Sequence, residues 1–123
     1  MSDPLILVVE DNDTIRDAFS ILLGESGYRV LQAATGAEAL AISTSERPDL
    51  VLMDLGLPDE NGLEVTRQLK SDEGTRAIPV VALTGRALET NERECMEAGC
   101  VGYLAKPIDT EQLLQRIPQF LKS

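Results

Sequence analysis

The sequence predicts an α/β protein, a parallel sheet with helices on both faces, and three observations predict it. Short aliphatic runs alternate five times with amphipathic stretches along the 123 residues, a pattern that calls for strand–helix units joined by right-handed crossovers. Several of the runs are continuously apolar, which is how strands covered on both faces read. The stretches between them are helix-length and open on capping residues.

Taken in order, the strands are expected at Leu5–Val9, Tyr28–Ala33, Leu50–Met53, Pro79–Leu83 and Val101–Leu104. The first helix carries Ile15, Phe19, Leu22 and Leu23 on its inward face and ends near Gly27. The second opens Thr35-Gly36-Ala37-Glu38, a capping box in which Thr35 and Glu38 satisfy free backbone N–H groups. The third opens Asn61-Gly62-Leu63-Glu64 on the same logic, and the fourth spans roughly Leu88 to Ala98, closed by Gly99. The fifth opens Asp109-Thr110-Glu111-Gln112 and turns Leu113, Leu114, Ile117 and Leu121 inward. Pro118 falls inside that last pattern, where it removes a backbone bond and predicts a kinked or frayed end.

Composition narrows the function. The chain suits one ordinary domain with a core built from aliphatic side chains, since only 3% of residues are aromatic. A net charge of −10 argues against nucleic acid or an anionic membrane as direct partner. No basic segment followed by a long apolar stretch opens the chain, and no run approaches membrane-spanning length. Cys95 and Cys100 cannot close a structural zinc site by themselves and are expected as semi-buried packing residues in a reducing cytoplasm. With no histidine present, Ser-His-Asp and Cys-His nucleophilic sites, histidine metal sites and histidine bases are excluded. No internal repeat, low-complexity tract or linker interrupts the pattern.

In open parallel sheets ligands sit beyond the carboxyl ends of the strands. Those positions hold Glu10-Asp11 after the first strand, Asp54 after the third, Thr84 after the fourth and Lys106-Pro107 after the fifth. Carboxylates gathered at one edge repel unless cations are supplied. Lys106 offers one charge, and a divalent ion bound by carboxylates, a backbone carbonyl and retained waters, as Mg²⁺ is, offers the remainder. Mg²⁺ brings phosphoryl chemistry with it, and Asp54, alone on the central strand, is then the nucleophile. Thr84 is placed to donate its hydroxyl to one phosphoryl oxygen and Lys106 to pair with another. Each residue also has an ordinary structural reading. Asp54 could open a turn, Glu10-Asp11 could cap the first helix with Asn12, Lys106 could be a solvated lysine and Thr84 a turn hydroxyl. The four sites together favour the chemical reading.

The sequence resembles the receiver domain of bacterial two-component response regulators, of the single-domain, chemotaxis-regulator-like type, from about Leu5 to Leu121. The motifs are LILVVEDN, PDLVLMDLGLPDENGLE, IPVVALTG and GYLAKP, in matching order and spacing. The resemblance implies one receiver domain over residues 1–123, with a flavodoxin-like, doubly wound sheet of order 2-1-3-4-5 and five helices. It implies that Asp54 is phosphorylated by a histidine kinase or histidine phosphotransfer protein. Asp11, Asp54 and the Gly56 carbonyl would ligate Mg²⁺, with Glu10 acting mainly through water. Lys106 would contact the phosphoryl group, Thr84 and Tyr103 would form a switch pair, and the bond before Pro107 is commonly cis in this family. Such a protein is a phosphoacceptor switch in the cytoplasm, not an enzyme beyond its own phosphoryl transfer and slow autodephosphorylation. Its output is a downstream protein docked on the surface of helix 4, strand 5 and helix 5.

Two positions vary within the family. Gly56 is expected to leave the phosphoryl group accessible while Arg86 covers it. Ile108 follows Lys106-Pro107 where receivers fused to winged-helix domains often have phenylalanine, which points to a stand-alone receiver or one fused to a hybrid kinase. The competing readings are a haloacid-dehalogenase-like phosphatase and a phosphorylation-independent docking module. The first would put an Asp-x-Asp pair after strand 1, where Glu10-Asp11-Asn12 stands instead, and the second would ordinarily lack the acceptor or the lysine. Flavodoxin shares the architecture but needs a phosphate-cradling loop after strand 1, which is missing here.

Overall fold

The computed structural model describes residues 3–85 and 92–122. Ten elements alternate along them: β1 (Leu5–Val9), α1 (Asp13–Glu25), β2 (Arg29–Ala33), α2 (Gly36–Glu46), β3 (Leu50–Asp54), α3 (Gly62–Ser71), β4 (Val80–Thr84), α4 (Glu92–Ala98), β5 (Gly102–Ala105) and α5 (Thr110–Leu121). The strands form one parallel sheet in the order β2-β1-β3-β4-β5. Strand boundaries move by about one residue from the expected ones. Tyr28, for example, spends its N–H on the Leu23 carbonyl (3.1 Å), closing α1 rather than joining the ladder.

Alternation of side chains along each strand divides the core in two. Leu7, Val9, Val51, Met53, Val80 and Ala82 face α2, α3 and α4. Ile6, Val8, Leu50, Leu52, Val81 and Leu83 face α1 and α5. The two central strands, β3 and β4, are buried along their whole length, which accounts for their continuous apolar runs.

The helix faces follow the expected pattern with corrections. Phe19 and Leu23 are buried, but Ile15 is 38% exposed. It lies in the first turn of α1, where it borders open space at the carboxyl ends of the strands. In α5, Leu113 and Ile117 are buried, Leu114 and Leu121 are half-buried, and Phe120 adds a buried ring with the Arg116 guanidinium 4.8 Å from its centre. The helix runs past Pro118 to Leu121, so the proline does not end it. The following Lys122 N–H bonds to Gln119 (3.2 Å), a tightened last turn. The expected start of the fourth helix, Leu88, lies outside the described residues. Its end is as expected, with Gly99 at φ +108° closing α4. Cys95 and Cys100 are fully buried in the first core cluster, deeper than semi-buried, and burial pushes the Cys100 thiol up to about 11.

Thr35 caps α2 by accepting from the Glu38 N–H (3.1 Å), while Glu38 reaches back to the Ala34 N–H (2.7 Å). Asn61 caps α3 through the Leu63 N–H (2.8 Å), but Glu64 turns to Arg67 (2.8 Å) instead of completing a box. Asp109 caps α5 through the N–H groups of Glu111 and Gln112 (3.0 and 3.2 Å).

One buried polar atom has no hydrogen-bond partner among the described residues: the hydroxyl of Ser43, on the inward face of α2. A buried hydroxyl without a partner carries its desolvation cost uncompensated, and alanine is the better helix former. Ser43→Ala should therefore raise stability by about 1 kcal/mol, read as a higher urea midpoint at unchanged slope.

Candidate functional site

The carboxyl ends of β1, β3, β4 and β5 open into a cleft of about 750 Å³ lined by Glu10, Asp11, Asp54, Gly56, Thr84 and Lys106. Of the residues expected at the strand ends, Glu10, Asp11, Asp54, Thr84 and Lys106 line it, while Pro107 lines a separate groove. Asp54 is the last residue of β3 and Thr84 the last of β4, and both are buried. Glu10 follows β1 and is 1% exposed, while Asp11 beside it is exposed.

Lys106 follows β5, and its backbone N–H bonds to the Thr84 carbonyl (2.7 Å), fixing where its side chain enters. Its Nζ donates to Glu10 Oε1 (2.8 Å) and to Asp54 Oδ1 (3.1 Å). Burial alone would lower the Lys106 pKa, but the two carboxylates outweigh it and hold the ammonium above its usual value. Burial pushes Glu10 up, against the pull of Lys106 and the Asn12 N–H. The Lys106–Pro107 bond is cis.

Carboxylate oxygens of Glu10, Asp11 and Asp54 come within 4.8 Å of one another. One ammonium cannot balance three carboxylates, and the donors are all oxygen. The set therefore fits a hard divalent ion such as Mg²⁺ in charge and ligand type. The Gly56 N–H donates to Asp54 Oδ1 (3.1 Å), which orients the Asp54 carboxylate from its own loop.

The backbone around the site explains two further residues. A Cβ on Gly62 would lie 2.4 Å from the Asp54 carbonyl oxygen and 2.9 Å from Leu55 Cα. Only glycine lets α3 start against the end of β3, so Gly62 serves close approach as well as the helix start. Asn12, not the acidic pair, caps α1 through the Ile15 N–H (3.0 Å). Glu10 and Asp11 are thereby left to the cleft.

Two contributors escaped the sequence reading. Arg16, one turn into α1, donates to the Glu10 carbonyl (2.8 Å) and pairs with Asp13 (2.6 Å), so α1 holds the loop that bears the acidic pair. Its only local signal was the i,i+3 spacing from Asp13. Asp59 caps α2 from a distance, accepting from Gly36 (2.9 Å) and Ala37 (3.1 Å). It stood in a run that reads as a turn, 23 residues from its first partner.

Tyr103 does not reach the cleft. It is half-buried against the first core cluster and lines a separate groove of about 410 Å³ with Met96, Pro107, Gln112 and Arg116. Ala82 pairs with Tyr103 and Thr84 with Ala105 in the ladder, so Thr84 and Tyr103 project from the same face of the sheet. Arg86 lies outside the described residues.

The response regulator receiver domain model matches residues 6–118. The chain belongs to the response regulator receiver family. Among relatives of this receiver domain, the polar-differentiation response regulator DivK of Brucella anthropi is 40% identical over 116 residues, 94% of each chain. A putative response regulator of Chloroflexus aurantiacus superposes with a TM-score of 0.92 at 30% identity, over 99% of this chain and all of that one. The receiver domain of a sensor histidine kinase from Pseudomonas aeruginosa, whose structure holds magnesium in the active-site cleft, has a TM-score of 0.90 at 34% identity. It covers 99% of this chain and 100% of its own. The CheY4 chemotaxis response regulator of Vibrio cholerae has a TM-score of 0.88 at 29% identity, over 97% and 99%. Receiver domains are phosphoacceptor switches of two-component systems. No helix among the described residues is long and apolar enough to cross a membrane.

Two measurements test the framework of the site. Gly62→Ala should cost about 2 kcal/mol by overpacking against backbone, seen as a lower urea midpoint. The two N–H groups of α2, Gly36 first, hold the Asp59 carboxyl below its ordinary value of 3.8. A depressed pKa stabilises the fold fully above the unfolded value, and this is lost as pH falls through the folded one. The stability gap between wild type and Asp59→Asn should therefore be full at neutral pH. It should shrink on acidification below about pH 4; a gap constant from pH 7 to 3 would refute the assignment.

Proposed function

We propose that this receiver domain, residues 1–123, accepts a phosphoryl group on Asp54 from a partner's phosphohistidine in a Mg²⁺-dependent reaction, and that the phosphorylated form presents an altered protein-docking surface. One observation carries the reading: three carboxylates converge at the carboxyl ends of the strands, and one ammonium pairs with two of them. The magnesium in the cleft of the Pseudomonas relative supports the metal.

Glu10, Asp11, Asp54 and the Gly56 carbonyl are the residues to hold Mg²⁺, Glu10 mainly through water. The ion would supply charge neutralisation for the carboxylates and the incoming group. The remaining work falls to the chain. An Asp54 oxygen attacks phosphorus as the bond to the donor's imidazole nitrogen breaks, and the imidazole leaves with that electron pair. Lys106 Nζ, already 3.1 Å from Asp54 Oδ1, pairs with a phosphoryl oxygen as it arrives. Thr84 donates its hydroxyl to another. Burial of Asp54 and Thr84 strengthens these contacts by lowering the local dielectric.

The switch uses the shared sheet face. As Thr84 moves toward the phosphoryl group, Tyr103 turns into the vacated space. Its neighbour across the ladder is the small Ala82, which leaves room on that side. Tyr103 and Pro107 line the groove among α4, β5 and α5, so their movement reshapes the face offered to a downstream protein. A differential of a few kcal/mol suffices to shift such a population. At Gly56 a Cβ would meet Asp54 Oδ1 at 3.8 Å, an ordinary contact. Glycine there is thus not required for packing, in keeping with a role in leaving the phosphoryl group open to slow hydrolysis. The donor is a histidine kinase or histidine phosphotransfer protein in the cytoplasm, and the acidic balance of the chain speaks against direct nucleic-acid or membrane binding.

Incubation with acetyl phosphate followed by intact-mass measurement tests the chemistry. Wild type with Mg²⁺ should gain a single phosphoryl group that decays slowly after the donor is removed. Omission of Mg²⁺ or Asp54→Asn should abolish the gain. A folded protein that stays unmodified, or a variant that is modified equally, would refute the reading. Transfer from a radiolabelled histidine phosphotransfer protein then tests the class of donor.

A further inference from the structure

We propose that Asp59 is a positioning residue for the metal site, a strap that ties the loop carrying the Gly56 carbonyl to the N-terminus of α2. The inference rests on the Mg²⁺ reading above and extends it to a residue outside the cleft.

Of the proposed ligands, Gly56 is the one that offers backbone rather than a side chain, so its oxygen is placed only as well as residues 55–61 are placed. That segment is pinned at several points, among them the Glu60 carboxylate, which accepts from the Gln68 amide on α3, and the Leu55 N–H, which donates to the Leu83 carbonyl (3.1 Å). At its end, the Gly62 N–H donates to the Leu55 carbonyl (3.2 Å), in the close approach that needs glycine. In its middle, Leu57 is buried in the core shared with α2 and α3. Between them Asp59 reaches sideways, placing one carboxylate oxygen on the Gly36 N–H (2.9 Å) and the other on the Ala37 N–H (3.1 Å).

These two bonds join the loop to a helix anchored independently of it. Ala39 and Ser43 bury the inner face of α2, and Thr35 and Glu38 cap its start. The positive end of the helix favours a carboxylate there. Gly36 contributes by what it lacks. A Cβ at that position would lie 2.8 Å from Val65 Cγ2 on α3. The absence of that Cβ lets α2 sit close enough to α3 for Asp59 to span the gap.

Asp59 is exposed, so its removal should leave the fold standing while freeing the loop between Leu57 and Gly62. The acceptor and Thr84 are placed by strands and Lys106 by its N–H bond to the Thr84 carbonyl, so all three should stay where they are. The expected signature is therefore a loss in metal affinity without a loss in chemistry once metal is saturating. Residues that support metal ligands indirectly shift affinity by about 10–100-fold. A partly redundant strap on a single backbone ligand should fall at or below the low end of that range.

Mg²⁺ titration by calorimetry on the whole chain, alongside thermal melts, tests this with Asp59→Ala and the isosteric Asp59→Asn. Asp59→Ala should weaken Mg²⁺ binding about fivefold to tenfold. Asp59→Asn, with one acceptor oxygen left, should fall between it and wild type. The rate of phosphorylation by acetyl phosphate at saturating Mg²⁺ should stay within about twofold of wild type. A lower melting temperature with unchanged Mg²⁺ affinity would reduce Asp59 to a helix cap and overturn the proposal. Should wild type itself bind no Mg²⁺, the metal reading fails, and this inference with it.

Discussion

Mutual repulsion of carboxylates at one edge of a sheet governs this structure. Glu10, Asp11 and Asp54 bring oxygens within 4.8 Å of one another, and Glu10 and Asp54 are buried where water screens them little. Left alone, such a cluster would neutralise itself by taking up protons or would force the strands apart. The Lys106 ammonium, shared between Glu10 and Asp54, relieves part of the strain and links β5 to β1 and β3. The charge still uncompensated is of the sign and size that a divalent cation would balance.

A cluster of that kind can be maintained only on a stiff frame. The central strands are buried from end to end, and the aliphatic layers on both sides leave them little freedom. Loops then have to be held as firmly as the strands they leave. Arg16 holds the β1–α1 turn through the Glu10 carbonyl, Gly62 admits α3 against the end of β3, and Asp59 straps the intervening loop to α2. Each of these acts on backbone near a functional side chain rather than on the side chain itself.

Rigidity around Asp54 contrasts with space beside β5. The edge strand carries Tyr103, half-buried, next to the small Ala82 and above an open groove bounded by Met96 and Arg116. A response confined to that edge would leave the acidic cleft intact while changing what a partner meets. Packed interiors shift between discrete arrangements rather than bending smoothly, so a small displacement of Thr84 would be felt by Tyr103 on the same face of the sheet.

Much of this was legible from the amino-acid order alone. The alternation of apolar runs and capped helices determined the α/β class, and the residues after each run determined which polar groups meet at the strand ends. Both signals are local and periodic. The helix caps at Thr35, Asn61 and Asp109 were likewise local, because a cap and its N–H partners lie within a few residues of each other. Tertiary structure alone decided the rest. Ile15 proved exposed because it lines the open cleft at the start of α1, and Phe120 proved buried because β5, through Gly102, lies close beneath it. Asp59 and Arg16 gained their roles from partners on other elements or turns of the chain. The indispensability of Gly62 depends on a carbonyl oxygen eight residues earlier that only the fold brings to it. Periodicity reports which face of an element is apolar, but a contact between a loop and a distant backbone leaves no periodic trace, and geometry has to supply it.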